Sequence, residues 1–128
     1  MHTQEPVEDI LADVNSGLSE AITIAKMRGV RDEQIALDVG IGFGKTQAHN
    51  LALLARLSLF HALGVPVLLG VSRKRFIGTL GKAPEPAHRV YGSVALAQAA
   101  VGQGVQMIRV HDVFATRSAL SLWSAQNA

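Results

Sequence analysis

Short apolar runs that stop at glycine or charge constrain this chain more than any other feature. They are IALDV (35–39), PVLLGV (66–71) and VQMIRV (105–110). Each has strand length and is nearly all apolar, the pattern of a strand covered on both faces. Pro66 stands first in its run, where a missing N–H is tolerated. Stretches of helical spacing separate the runs. From Pro6 to about Arg28, Ile10, Leu11, Val14, Leu18, Ala21 and Ile22 recur on one face, with Gly29 as the stop. A second helix is expected over about Gln47 to Leu63, a third over about Arg89 to Gly102 and a last over about Ala115 to Ala125. Between Thr79 and His88 the glycines and prolines read as a loop. The order α-β-α-β-α-β-α, with three buried strands, predicts an α/β fold with a parallel sheet and helical crossovers.

Polar residues collect just after each run: Asp38 to Thr46, Gly70 to Lys74, and Arg109 to Asp112. In open parallel sheets and in (β/α)8 barrels that end of the strands carries the site. The glycine stretch DVGIGFGKT (38–46) suggests a phosphate loop, but its spacing fails both nucleotide patterns. A P-loop ending at Gly44-Lys45-Thr46 needs glycine where Val39 stands, and a dinucleotide loop meets its third glycine one residue early, at Gly44. A small nucleotide binder dependent on Lys45 is the reading this leaves behind. The other loops are cationic. Arg73, Lys74 and Arg75 follow the second run, and Arg109 and His111 share one strand face two residues apart. Lys74, Arg109 and His111 could gather an anion such as pyrophosphate. The alternatives are a solvated basic turn and an ion pair of Arg109 with Asp38 or Asp112; read alone, His111 is also compatible with a structural histidine. Asp38 could accept paired N–H bonds from an amidine-like ring edge or cap the amides of its own loop. His2, His49, His61 and His88 lack metal spacing and read as surface or capping residues.

Composition narrows the classes. Of 128 residues 48% are hydrophobic and 17% charged, enough for a packed core. Net charge is +2 and aromatic content 5%, so no nucleic-acid partner is expected. Without cysteine there is no disulfide and no thiolate metal site, which fits a reducing compartment and leads us to expect the cytoplasm. No apolar run is long enough to span a membrane, and the amino terminus lacks a signal pattern.

Three motifs in order resemble the dihydropteroate synthase family, which carries D-P-G-x-G-F-G-K, S-R-K and R-V-H-D-V after successive strands. Here they stand as Asp38 to Lys45, Ser72-Arg73-Lys74, and Arg109-Val110-His111-Asp112-Val113; HNLALLARL (49–57) and RVYGSVA (89–95) are similar too. The resemblance implies a partial (β/α)8 TIM barrel, residues 1–128 forming one incomplete pterin-binding domain that matches the C-terminal half of the family fold. It implies an enzyme of folate synthesis that joins p-aminobenzoate to a dihydropterin methyl pyrophosphate and releases pyrophosphate. By that resemblance Asp38 and Lys74 bind the pterin, Arg109 and His111 the pyrophosphate, and Phe43, Arg73 and Ser72 border the p-aminobenzoate pocket, also the site of sulfonamides. Lys45 and Arg75 receive no role. Mg²⁺ is expected for the full family enzyme, with its usual ligand outside this chain and no metal ligand within it. A homodimer through the last helices is implied as well. Val39 replaces the family proline, which loosens the loop behind Asp38. The alternative is a noncatalytic barrel piece that needs a complementing chain.

Overall fold

The computed structural model describes residues 7–43, 45–72 and 74–127. The expected helix-starting Pro6, Gly44 of the glycine stretch, Arg73 of the basic loop and the surface histidine His2 lie outside the described residues. The helices are α1 (Val7–Met27), α2 (Gln47–Ala55), α3 (Arg75–Leu80), α4 (Val90–Gly102) and α5 (Val113–Gln126); the strands are β1 (Leu68–Gly70) and β2 (Met107–Arg109). The strands pair in parallel, Leu68 with Met107, Leu69 with Ile108 and Gly70 with Arg109. Helix α4 makes the crossover, and the result is an α/β fold around a two-stranded parallel sheet.

The first apolar run is shorter as a strand than expected. It joins the sheet through a single parallel bridge, Leu37 to Val67. Leu37 N–H donates to the Pro66 carbonyl at 2.8 Å, and the Leu37 carbonyl accepts from Leu68 N–H at 2.8 Å. Beyond it, Gly40 turns the chain at φ +75° and Gly42 at φ +87°, backbone positions that favour glycine.

Alternation along the runs decides which residues make the core. Leu37, Val39, Val67, Leu69 and Val71 are buried, with Leu53 of α2, Leu57 and Phe60 behind it, Ile77 of α3 and Ile10 of α1. Leu11, Val14, Leu18 and Ile22 of α1 pack on the edge of this cluster. The residues between face away from it: Asp38, Met107 and Arg109 are exposed. One sheet face is thus sealed by helices; the other, expected to be covered too, is open along β2, where Met107 and Arg109 are exposed and Ile108 is half-buried.

Two further expectations change. The helix expected over 47–63 breaks at Arg56 (φ −129°, ψ 32°) and resumes as a 3₁₀ segment, Leu57–Leu63. The cause lies across the fold. Gln103, just past α4, accepts from Ser58 N–H at 3.0 Å and donates to the Leu54 carbonyl at 2.7 Å, so it takes two backbone groups that a continuous helix would use. The region expected as a loop at 79–88 is flanked by structure. Helix α3 ends within it, and a 3₁₀ turn, Pro86–Arg89, carries its proline at the first position.

Helix α2 starts on a reciprocal cap. Thr46 Oγ1 accepts from His49 N–H at 3.1 Å, and His49 Nδ1 accepts from Thr46 N–H at 3.4 Å. His49 is therefore a capping residue, and it is buried. Thr46→Ala should lower stability by about 1 kcal/mol, read as a lower urea midpoint at unchanged slope; an unchanged midpoint would deny the cap its role.

Candidate active site

The glycine stretch uses its own amides. Gly40 N–H donates to Asp38 Oδ1 at 2.8 Å, Gly42 N–H to Asn50 Oδ1 at 2.8 Å, and Phe43 N–H to the Gly40 carbonyl at 3.1 Å. Lys45 also turns back on the loop, its Nζ donating to the carbonyls of Gly40 at 2.9 Å and Phe43 at 3.0 Å. A phosphate cradle needs these N–H groups and this lysine aimed at a ligand. Here they close the loop on itself, which argues against a P-loop on geometry as well as spacing. Asp38 is exposed and spends one carboxylate oxygen on Gly40, so lone pairs remain for a ligand. Burial lowers the Lys45 pKa; Asp38 opposes the shift and Lys74 adds to it.

Phe43 and Lys74 come together. The ring is 69% exposed, and Lys74 Nζ lies 4.2 Å from its centroid, a cation–π contact across two loops. Gly42 permits it, since a Cβ there would meet Lys74 Cδ at 3.1 Å. Lys74, but not Phe43, also lines a depression of about 350 Å³, with Gly42, Lys45, Asn50, Arg75 and Thr79 among the others; Asp38, Ser72, Arg109 and His111 do not line it.

Ser72 and His111 form the second pair. The strand register puts Gly70 beside Arg109, and two residues on Ser72 meets His111. The buried Ser72 hydroxyl accepts from His111 N–H at 3.0 Å and lies 2.9 Å from Nδ1. In the tautomer where the hydroxyl donates to Nδ1, the ring N–H sits on Nε2 and remains free to donate. Arg109 is exposed at the end of β2, and among the described residues no ion pair joins it to Asp38. On the register of the Leu37–Val67 bridge, Asp38 lies level with Leu68 and Met107. With ordinary strand spacing and rise, the Asp38 and Arg109 backbones stand about 12 Å apart, a span one small molecule can cover.

Arg75 and Asn50 were not singled out from sequence as site residues. Arg75 had a signal, as the third cation of its loop; Asn50 had none, because its contact with Gly42 crosses from a helix to a turn. His61 bonds the Gln103 carbonyl at 2.7 Å, away from these loops.

Fold and loops define a parallel α/β protein that opens a carboxylate, an exposed aromatic ring and several cations at the carboxyl ends of its strands. A family model described as pterin binding enzyme matches residues 1–111, and the chain belongs to that family. It is 43% identical over 118 residues to dihydropteroate synthase of Escherichia coli (strain K12), covering 92% of this chain and 42% of that protein. Among solved structures it is similar to a Thermus thermophilus dihydropteroate synthase in complex with 4-aminobenzoate, at TM-score 0.92 and 47% identity, covering 99% of this chain and 50% of that one. A Xanthomonas albilineans dihydropteroate synthase in complex with 7,8-dihydropteroate matches at TM-score 0.92 and 44% identity, covering 98% of this chain and 51% of the other. The chain thus spans less than half the length of the curated relatives it matches.

Proposed function

We propose that this chain is part of a dihydropteroate synthase and supplies the strand-end loops that hold both substrates. The observation that carries the reading is the Phe43–Lys74 pair beside a depression, in a fold matching at TM-score 0.92 a relative in complex with 4-aminobenzoate. In this reading Asp38 accepts from the aminopyrimidine edge of the pterin and Lys74 meets its carbonyl side. Phe43, Ser72 and Arg73 border the p-aminobenzoate pocket, and Arg109 and His111 receive the pyrophosphate. The aromatic amine attacks the methylene carbon, a C–N bond forms, the C–O bond to pyrophosphate breaks and the amine proton leaves to solvent. Charge grows on the departing oxygens, where a guanidinium and an imidazole N–H lower the barrier. An amine needs little beyond positioning. Among the described residues no three His, Asp or Glu side chains gather around a possible metal ion. Among them, also, no helix is long and apolar enough to cross a membrane.

Residues 1–128 in this reading are one incomplete barrel domain, its three strands being the Leu37 segment, β1 and β2. A closed (β/α)8 barrel has eight strands and no edges. The edge of β2 borders an apolar groove of about 620 Å³ lined by Val105, Ile108, Val110, Val113 and Leu120, among others. That groove supports completion by further strands. The exposed Tyr91 of α4 and Leu122 of α5 are candidates for a dimer face.

Coexpression with the remaining strands of the E. coli relative tests this reading. The two polypeptides should copurify and form dihydropteroate from the pyrophosphate ester and p-aminobenzoate, while this chain alone forms none. A folded, copurifying pair without turnover would sink the catalytic reading; turnover by the lone chain at a full-length rate would sink the incomplete barrel.

A further inference from the structure

Among the described residues Phe43 is no part of the buried core, and it is 69% exposed, so the backbone of its turn carries much of its placement. That backbone has two polar ties: Phe43 N–H to the Gly40 carbonyl at 3.1 Å, and the Phe43 carbonyl to Lys45 Nζ at 3.0 Å. The Gly40 carbonyl is itself bonded twice, by Phe43 N–H and by Lys45 Nζ at 2.9 Å. One ammonium therefore spans both ends of the turn. Gly40 makes room for it, since a Cβ there would lie 3.2 Å from Nζ. Asp38 and Asn50 hold the amides of Gly40 and Gly42, each at 2.8 Å, but neither reaches Phe43, and the torsions between are loose: two glycines sit at positive φ, and Val39 stands where a proline would fix one torsion.

The charge state of Lys45 fits such a tie. Burial lowers its pKa, so keeping it protonated costs folding free energy at neutral pH, a penalty relieved as pH rises through the lowered value toward 10.5. A lysine extended into water carries no such penalty. The ammonium sits where the loop needs it and not where solvation favours it.

We propose that Lys45 is a positioning residue: it clamps the carbonyls of Gly40 and Phe43, and so holds the Phe43 ring against Lys74. What the loop is held for rests on the function proposed above; the clamp itself does not. The test uses the isotope-labelled full chain and its Lys45→Met and Lys45→Arg variants. Lys74 side-chain shifts report the Phe43 ring current, and amide exchange reports the turn. In Lys45→Met the Lys74 ring-current shift should collapse and Phe43 amide exchange should rise about tenfold, with α2 protection intact. Lys45→Arg, which keeps charge and donors, should retain most of both. If Met disturbs α2, the milder Lys45→Gln takes its place. Wild-type Lys74 shifts and Phe43 exchange in the neutral variants would overturn the clamp. Titration of the copurified pair with p-aminobenzoate separates the two ideas: no response there counts against the proposed pocket and leaves the clamp measurement standing.

Discussion

Arg109→Ala in the completed barrel is expected to lower kcat/KM for the pyrophosphate ester by about 10²–10³-fold. The size follows from where the charge develops. A leaving pyrophosphate gains negative charge on its bridging oxygen as the C–O bond stretches, and a donor fixed at that point acts on the transition state more than on bound substrate. Arg109 ends β2 beside Gly70, which has no side chain to crowd a ligand, and it is exposed on the sheet face that the helices do not cover. Arg109→Lys keeps the charge and loses the planar fork, so it should fall between alanine and wild type. Inhibition by the pyrophosphate product gives an independent reading. It should weaken in Arg109→Ala while the KM for p-aminobenzoate changes little. An alanine variant inhibited by pyrophosphate as strongly as wild type would remove Arg109 from the anion site.

Arg109 also shows what a sequence can reveal about such a site. The strand runs at 66–71 and 105–110 became β1 and β2 because near-continuous apolar strands are recognisable from local pattern. The run at 35–39 has the same pattern but only one bridge, since strand pairing depends on neighbours that a local window does not contain. The break at Arg56 is nonlocal in the same way: it depends on Gln103, dozens of residues later in the chain. Helix α3 is too short to show a period between its glycines. Among the site residues, loops after strands exposed Asp38, Lys74, Arg109 and His111 as candidates. The pairings of Phe43 with Lys74 and of Ser72 with His111 needed the strand register, which the apolar runs alone leave open. Lys45, which the sequence left without a role, shows the reverse. Its place after a glycine invites a phosphate, yet the two carbonyls it binds belong to its own loop.

Phe60→Ala should be the most destabilising single change in the core, at about 3–5 kcal/mol. Phe60 is 1% exposed and is the largest fully buried side chain among the described residues. It sits in the 3₁₀ segment that continues α2 after the break at Arg56, so it anchors that segment to the core where no regular helix does. Removing the ring leaves a cavity that short, tightly bonded backbone cannot close. Whole domains hold only about 5–15 kcal/mol against unfolding, and a sheet with an open edge belongs toward the lower end. The variant should therefore lose most of its cooperative urea transition, whereas Phe114→Ala should change stability by no more than about 0.5 kcal/mol, since Phe114 is 87% exposed. Far-ultraviolet dichroism across a urea series separates the two. Equal midpoints for Phe60→Ala and Phe114→Ala would mean that Leu53, Leu57 and Leu69 hold the layer without Phe60, and that the 3₁₀ segment is not fastened through its ring.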